Sequence, residues 1–128
     1  MNESPDDRIY SEEHIWLLLE SDDIAVIGIS EYAQSELGDI VYVELPEVDN
    51  EYPPGQACAV VESVKAASEI FAPVECKIIE VNEELVDSPE ILNESPYTDG
   101  WLAKVEIQDK SSIDSLLNAS QYDSLVEV

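Results

Sequence analysis

The sequence predicts a mainly β protein, a sandwich or flattened barrel of many short strands with small helices attached. Hydrophobic residues make up 45% of the 128 residues, which is typical of a globular protein and too high for a disordered acidic chain. The apolar runs are short, and polar, proline and glycine residues separate them. The sequence shows no repeat of fixed period. We therefore expect one domain over residues 1–128.

The first part of the chain predicts a flexible arm, a hairpin and a helix. The arm covers residues 1–8, which are mostly polar and acidic. A strand from Ile9 to Glu20 and a second strand from Ile24 to Ile29 flank a polar turn and are expected to pair. Ser30 can cap a short helix and Gly38 can end it, because glycine adopts the left-handed conformation without strain.

Residues 39–45 alternate between two kinds of side chain. One face carries Val41, Val43 and Leu45, and the other carries Ile40, Tyr42 and Glu44. The uniformly apolar face predicts a half-buried strand, because successive side chains of a strand point to opposite sides.

The second half of the chain predicts further short elements. These are strands over residues 76–82 and 101–107, a helical turn around Pro89, and a C-terminal helical segment over residues 111–128. Ser111 or Ser112 is expected to cap the last of them. The two tryptophans, Trp16 and Trp101, are expected to anchor the core, since large aromatic side chains bury the most surface.

The charge of the chain excludes two classes of partner. The chain has five basic and thirty acidic residues, which gives a net charge of −25. Nucleic acids and anionic membranes both require lysine and arginine, so neither is an expected partner. Two interpretations of this acidity carry equal weight. It steers the protein toward basic partners, or it only keeps the protein surface solvated, for example at high salt. No apolar run approaches the length of a membrane helix, and the N-terminal residues lack the basic and apolar regions of a secretory signal, so we expect neither. We expect a cytoplasmic monomer, or a protein of the mitochondrial matrix if a transit peptide has been removed.

The remaining reactive side chains predict no metal site and no enzyme. Cys58 and Cys76 are expected to be free, small core residues in a reducing compartment. His14 is the only histidine, and it is expected to be a hydrogen-bonded structural residue rather than a metal ligand. No nucleophile–base pair can be built around a single histidine.

The stretch from Glu62 to Glu69 is the strongest candidate site. Two strand-like runs flank it, residues 57–61 and 70–74, and they predict a tight hairpin with Lys65 at its tip. A tip fixes the backbone and leaves the amine in water, so another enzyme can find and acylate it. A long acyl group on this lysine would form an arm that can visit several active sites at high effective concentration. An ordinary solvated turn lysine is the alternative.

Many blocks of the chain resemble, in order, the H-protein family of the glycine cleavage system. The blocks are Tyr10, Ser11, His14 and Trp16, followed by residues 26–30, 32–34, 37–46, 61–66, 72–74, 80–82, 93–97 and 99–102. The resemblance extends from about Tyr10 to Tyr122, nearly the whole chain. It implies a flattened barrel-sandwich hybrid of two antiparallel sheets, similar to lipoyl and biotinyl carriers.

The resemblance also implies a cofactor and its position. Lys65 would carry (R)-lipoate in amide linkage, as N6-lipoyllysine. The implied recognition residues around the tip are Glu62, Ser63, Val64, Ala66 and Glu69. His14 and Glu13 are candidates for a cleft that shelters the loaded arm.

The implied partners are four enzymes, and the carrier itself catalyses nothing. They are the pyridoxal-phosphate glycine decarboxylase (P-protein), the folate-dependent aminomethyltransferase (T-protein), dihydrolipoamide dehydrogenase (L-protein) and a lipoate-attachment enzyme. Two alternatives remain open. One is an H-protein-like lipoyl donor or relay in lipoate metabolism, inactive in glycine cleavage. The other is an acidic interaction module without a cofactor.

Two positions depart from the family pattern. Ile15 stands where an acid usually follows the histidine, and that acid lies near the arm cleft. Glu13 is one step earlier and is expected to point to the other face of a strand. Cys76 stands where a glycine is common. Glu69 keeps the acid that follows the lysine block.

Overall fold

The computed structural model describes residues 5–126, and residues 1–4 and 127–128 lie outside the described part. The strands are β1 Ile9–Tyr10, β2 Ile15–Leu19, β3 Ile24–Ile29, β4 Ile40–Glu44, β5 Glu51–Tyr52, β6 Ala57–Ser63, β7 Ala67–Phe71, β8 Cys76–Val81 and β9 Ala103–Ile107. The helices are α1 Glu31–Leu37, α2 Glu84–Asp87, α3 Ile91–Glu94 and α4 Ala119–Val126, with a 3₁₀ helix over Lys110–Ser115.

The strands form two antiparallel sheets, which confirms the predicted fold class. One sheet has the strand order β1-β2-β3-β9-β8-β5, and the other has the order β4-β6-β7. Neither order closes on itself among the described residues, so the fold is a sandwich rather than a closed barrel. The main core contains buried side chains from both sheets, including Ile27, Val61 and Val105. Among residues 5–126, no helix is both long and apolar enough to cross a membrane.

The first predicted strand is interrupted, so the continuous strand from Ile9 to Glu20 was wrong. A turn separates β1 from β2: Ser11 N donates to Ile15 O at 2.8 Å, and His14 N donates to Ser11 O at 3.1 Å. The Ser11 hydroxyl accepts from the backbone N–H groups of Glu13 and Ile15, both at 3.2 Å. His14 has φ +73°, in the left-handed region that a strand never uses. A local side-chain hydrogen bond thus outcompetes the strand ladder.

The predicted helix after β3 is confirmed at both ends. The Ser30 hydroxyl accepts from Ala33 N at 3.1 Å, which satisfies one of the free N–H groups of the first turn. Gly38 ends the helix as predicted and donates its N–H to Gln34 O, but with φ +82° and ψ −157° it has a positive φ outside the predicted left-handed helical region. The helix therefore ends shortly before β4 and leads the chain to the tip end of the Lys65 hairpin, where Ile40 lies opposite Ser63.

Strand β4 does not alternate as predicted. Its register against β6 shifts between Ile40 and Tyr42, which places a bulge at Val41. Val41 and Tyr42 are both exposed, whereas Ile40 and Val43 are buried. A bulge inserts one extra residue, so two neighbouring side chains point outward where a regular strand would turn one inward.

The later elements match the prediction in kind and differ in detail. The helical turn expected around Pro89 is two short helices, α2 and α3, on either side of it. The cap of the 3₁₀ helix is Asp109, whose side chain accepts from Ser111 N at 3.0 Å, so the predicted cap at Ser111 or Ser112 was wrong. Asp109 comes two residues after the end of β9 and immediately before the 3₁₀ helix, so its carboxylate and not a serine hydroxyl occupies the cap position.

The N-terminal segment contacts the six-stranded sheet where the structure describes it. Arg8 donates to Tyr97 O at 2.9 Å, and its guanidinium lies 4.7 Å from the Trp16 ring centroid. Tyr10 donates its hydroxyl to Pro5 O. Trp16 is fully buried, and Trp101 is half-buried against the same cluster. Residues 1–4 of the predicted arm lie outside the described residues.

Both cysteines are buried and free, as predicted. Burial raises the pKa of the Cys58 thiol to about 11 and that of the Cys76 thiol to about 12. A thiol with so high a pKa is a poor nucleophile at neutral pH. The cysteines are therefore core residues, and the chemistry of the protein lies elsewhere.

A lysine hairpin beside an acidic cleft

Strands β6 and β7 form the predicted hairpin, and Lys65 lies at its tip. The strands pair down to Glu62 opposite Ala67, and the turn follows. Ser63 N donates to Ala66 O at 2.8 Å, which closes the turn. The Ser63 hydroxyl also accepts from the N–H groups of Lys65 and Ala66 at 3.1 and 3.2 Å. Ser63 therefore holds the backbone on both sides of the lysine.

A second set of hydrogen bonds ties the tip to the body of the protein. Val64 N donates to Asp39 O at 3.0 Å, between the helix α1 and strand β4. The Asn93 side chain fixes the same segment, because its Oδ1 accepts from Ile40 N and its Nδ2 donates to Gly38 O, each at 2.9 Å. The backbone under the lysine is thus held from both sides while the side chain remains free.

The Lys65 side chain is exposed and extends over Gly38. A Cβ placed on Gly38 would lie 3.3 Å from Lys65 Cε and 3.9 Å from Nζ, so the missing side chain leaves room for the lysine. Lys65 makes no ion pair with any residue between 5 and 126.

The other recognition residues expected from the sequence divide into two groups. Glu62, Val64 and Ala66 are exposed around the tip with Lys65. Glu69 is the third residue of β7 and comes four residues after Lys65. It is exposed and lines a cleft rather than the tip.

The cleft lies between the β1–β2 turn, helix α1 and strand β7, and it has a volume of about 260 Å³. Three acidic residues line it, which we call the cleft acids: Glu13, Glu36 and Glu69. Aliphatic residues from four elements also line it, which we call the apolar lining: Ile15, Ile29, Leu37 and Ile70. The site therefore combines an apolar surface with negative charge, and β7 connects it directly to the lysine tip.

His14 lies in the same cleft and is held from the C-terminal helix. Its Nδ1 lies 2.8 Å from the Tyr122 hydroxyl, and that hydroxyl lies 2.6 Å from Ser30 Oγ. The imidazole centroid lies 4.9 Å from the Tyr32 ring. Burial lowers the pKa of His14, and the nearby Glu36 carboxylate opposes this in part. His14 is therefore hydrogen-bonded, as predicted, and it also lines the cleft for which it was a candidate.

The sequence left two expectations for Glu13. The family resemblance made it a candidate for the arm cleft, whereas a continuous strand would have pointed it to the other face. Because residues 11–14 form a turn, Glu13 instead lines the cleft together with Glu69. Ile15, the residue in place of the usual acid, is buried and belongs to the apolar lining.

Two residues of this region had no assigned role in the sequence. Glu36 lies three residues after Ala33 on α1, so the helical spacing could have placed it beside the cleft-facing side chains. Asn93 holds the segment under the tip, and only its place in a family block marked it. Within the described residues, no cluster of histidine, cysteine or acidic side chains could hold a metal ion.

Comparison with known proteins agrees with this geometry. The family model described as Glycine cleavage H-protein matches residues 8–128. Two proteins named glycine cleavage system H protein, from two strains of Staphylococcus epidermidis, are 54% and 53% identical over 122 residues, which covers 95% of this chain and 96% of theirs.

A solved structure agrees as well. The chain is similar to the crystal structure of a glycine cleavage system H protein from Mycobacterium marinum, with a TM-score of 0.85 and 37% identity. The match covers 94% of this chain and 96% of the other. Sequence and structure agree over nearly the full length of both proteins, and this chain belongs to the glycine cleavage H-protein family.

Proposed function

We propose that this chain is the lipoyl-carrying protein of the glycine cleavage system, with (R)-lipoate in amide linkage to Lys65. One observation carries the proposal: Lys65 is exposed, has no ion pair with any residue from 5 to 126, and lies on a hydrogen-bonded tip beside an acidic cleft. Membership of the H-protein family supports it. The chain is a carrier and not an enzyme, and we propose that it acts as a monomer.

The residues present fit a lipoyl-lysine arm. The apolar lining of the cleft suits a hydrocarbon chain, and the cleft acids suit a cationic amine at its end. The bound group would supply a disulfide that takes up the aminomethyl group of glycine and two electrons. Residues of this chain would hold the tip, orient the arm and exclude water from the loaded end. His14, with its lowered pKa, stays neutral at pH 7 and leaves the charge of the cleft acids intact.

The proposed partners follow from this chemistry. The glycine decarboxylase loads the arm, the aminomethyltransferase unloads it, dihydrolipoamide dehydrogenase reoxidises it, and a lipoate-attachment enzyme installs it. A carrier visits these enzymes in turn, so a free lysine on a rigid tip serves it better than a buried site.

Mass spectrometry tests the attachment. The full chain is incubated with a lipoate–protein ligase, lipoate and ATP, and the intact mass is followed by peptide mapping. We expect one lipoyl group per chain, on Lys65. A chain that stays unmodified, or that carries the group on Lys77, Lys104 or Lys110, would overturn the proposal.

A lipoyl donor in lipoate metabolism is the second candidate, and Ile15 favours it because the usual acid is missing. The cleft acids favour glycine cleavage instead. The lipoylated chain is given a glycine decarboxylase and glycine, and its mass is measured. We expect it to gain an aminomethyl group, and we expect Glu13→Gln with Glu69→Gln to retain less of it than the control Glu75→Gln, an exposed acid outside the cleft. A donor would gain none.

A further inference from the structure

Four exposed apolar side chains lie near the Lys65 tip, and we call them the tip patch. Val41 and Tyr42 on β4 are 52% and 47% exposed, Val64 in the turn is 68% exposed, and Val86 on α2 is 54% exposed. Strand β4 pairs with β6 directly below the tip, with Ile40 opposite Ser63. Helix α2 packs against β4.

The bulge in β4 creates this surface. A regular strand would turn one of Val41 and Tyr42 inward, and the bulge leaves both outside. Single exposed apolar residues are ordinary, but a group of them beside one functional lysine indicates a surface that another protein covers.

Apart from Lys65 itself, the charged side chains around the tip patch are acidic. The exposed acids on the same elements and the tip are Asp39, Glu44, Glu62, Glu84 and Asp87. The other four cations of the chain belong to the N-terminal segment, the six-stranded sheet and the 3₁₀ helix: Arg8, Lys77, Lys104 and Lys110. A complementary partner therefore presents an apolar surface with a rim of lysine and arginine.

We propose that the tip patch is the docking surface for the lipoate-attachment enzyme, which contacts it through an apolar face with a basic rim. This inference rests on the proposed function, since it names the partner of Lys65. The chain contains four lysines, so the enzyme must recognise a surface feature next to Lys65 that the other three lysines lack. The tip patch is such a feature.

The attachment step requires close contact at this place. The Lys65 amine loses a proton and attacks the carbonyl of a lipoyl group that is activated as a mixed anhydride with a nucleotide phosphate. The C–N bond of the amide forms, the C–O bond to the phosphate breaks, and the nucleotide leaves with the electron pair. The enzyme must bring that carbonyl within bonding distance of Nζ, so its surface meets the residues around the tip. Enzymes that act on the far end of the finished arm approach the tip less closely.

Steady-state lipoylation tests the inference. A lipoate–protein ligase with lipoate and ATP modifies the full chain and the double variant Val41→Ser with Val86→Ser, and mass spectrometry measures the rate at Lys65. The matched control is Leu19→Ser with Val48→Ser, two apolar residues that are 46% and 47% exposed away from the tip. We expect the patch variant to lose about tenfold in kcat/KM, mainly through KM, and the control to stay within about twofold of the unchanged chain.

A competition measurement separates docking from chemistry. The Lys65→Arg chain cannot be acylated but keeps the tip patch, so we expect it to inhibit lipoylation of the unchanged chain, and less so at high salt. Adding Val86→Ser, a change at an exposed helix position, should weaken that inhibition. Equal rates for patch and control variants, or equal inhibition with and without Val86→Ser, would overturn the inference while the proposed function stands. An unchanged chain that gains no lipoyl group would overturn both.

Discussion

Lys65 and Lys104 lie in different sheets, and their surroundings are opposite. Lys104 is the second residue of β9 and is half-buried, with its amine 3.2 Å from a Glu20 oxygen and 3.9 Å from a Glu80 oxygen. Both acids lie on strands of the same six-stranded sheet or at its edge. Lys65 lies at the end of a hairpin, exposed, with no ion pair among residues 5–126.

The comparison shows how position in the fold sets the surroundings of an amine in an acid-rich chain. The amine of Lys104, which lies within a sheet, contacts carboxylates on or beside neighbouring strands. A tip has no cross-strand neighbours, so only the backbone needs to be held, and Ser63 and Asp39 hold it. Availability here comes from the position in the fold and not from a change in the side chain itself.

The largest expected effect is at Lys65 itself. Lys65→Arg keeps the charge but removes the acylable amine, so we expect complete loss of lipoylation. Lys104→Arg is the matched control, because arginine retains the contacts to Glu20 and Glu80. Intact mass after incubation with a ligase, lipoate and ATP checks both. Lipoyl transfer to the Lys65→Arg chain would contradict the comparison.

Removing the Asn93 side chain tests the support under the tip. Asn93→Ala leaves Ile40 N and Gly38 O without their partner, and a buried or half-buried polar group left unpaired costs about 1–3 kcal/mol. We expect the free energy of unfolding in urea to fall by about that amount and lipoylation to slow. The control is Asn50→Ala, which loses only an exposed contact to Glu47 at 3.2 Å. Equal unfolding midpoints for the two variants would show that Asn93 does not hold this segment.

Alanine substitutions at two glycines distinguish two effects of an added side chain: strain in the backbone and crowding of Lys65. Gly38 and Gly55 have φ of +82° and +85°, so alanine at either position should destabilise the protein by about 1 kcal/mol. Only at Gly38 does the added Cβ approach Lys65, since nothing lies within 4 Å of the position at Gly55. We expect both variants to lower the unfolding midpoint and only Gly38→Ala to slow lipoylation. Equal rates in the two variants would mean that the contact with Lys65 has no consequence.

The smallest expected effect is a pH dependence at His14. Its pKa is lowered in the folded protein mainly by burial, so the unfolded chain binds the proton more tightly. The stability from neutral His14 is present above the unfolded pKa, near 6.5, and is lost as the pH falls through the folded pKa. Urea unfolding between pH 7 and pH 5 should show this loss, and His14→Gln should reduce it. An identical pH profile in that variant would assign the loss to other groups.

The sequence predicted well where a local signal decides the structure. The Ser30 cap, the Gly38 end of α1 and the β6–β7 hairpin depend on residues within a few positions of each other. Lys65 at the tip followed from the same short-range pattern, and family resemblance added the chemistry. The predicted fold class was confirmed for the same reason, because short apolar runs separated by turns favour strands.

The sequence failed where two local preferences competed. The composition of residues 9–20 predicts one strand. The Ser11 hydroxyl instead accepts hydrogen bonds from two backbone N–H groups, and the chain forms a turn there. That turn moved Glu13 into the cleft. In β4 the alternation of apolar residues gave no sign of the bulge at Val41. The register is set by pairing with β6, which the residue types within β4 do not reveal.

The sequence by itself determined that this is a mainly β chain with one lysine on a hairpin tip and an excess of acid, since each follows from neighbouring residues or from composition. Only the tertiary structure decided which acids face that lysine's hairpin: Glu13, Glu36 and Glu69 come from a turn, a helix and a strand that are far apart in sequence. The physical reason is that a cleft forms where separate elements pack together, and packing depends on partners that no short stretch of sequence contains.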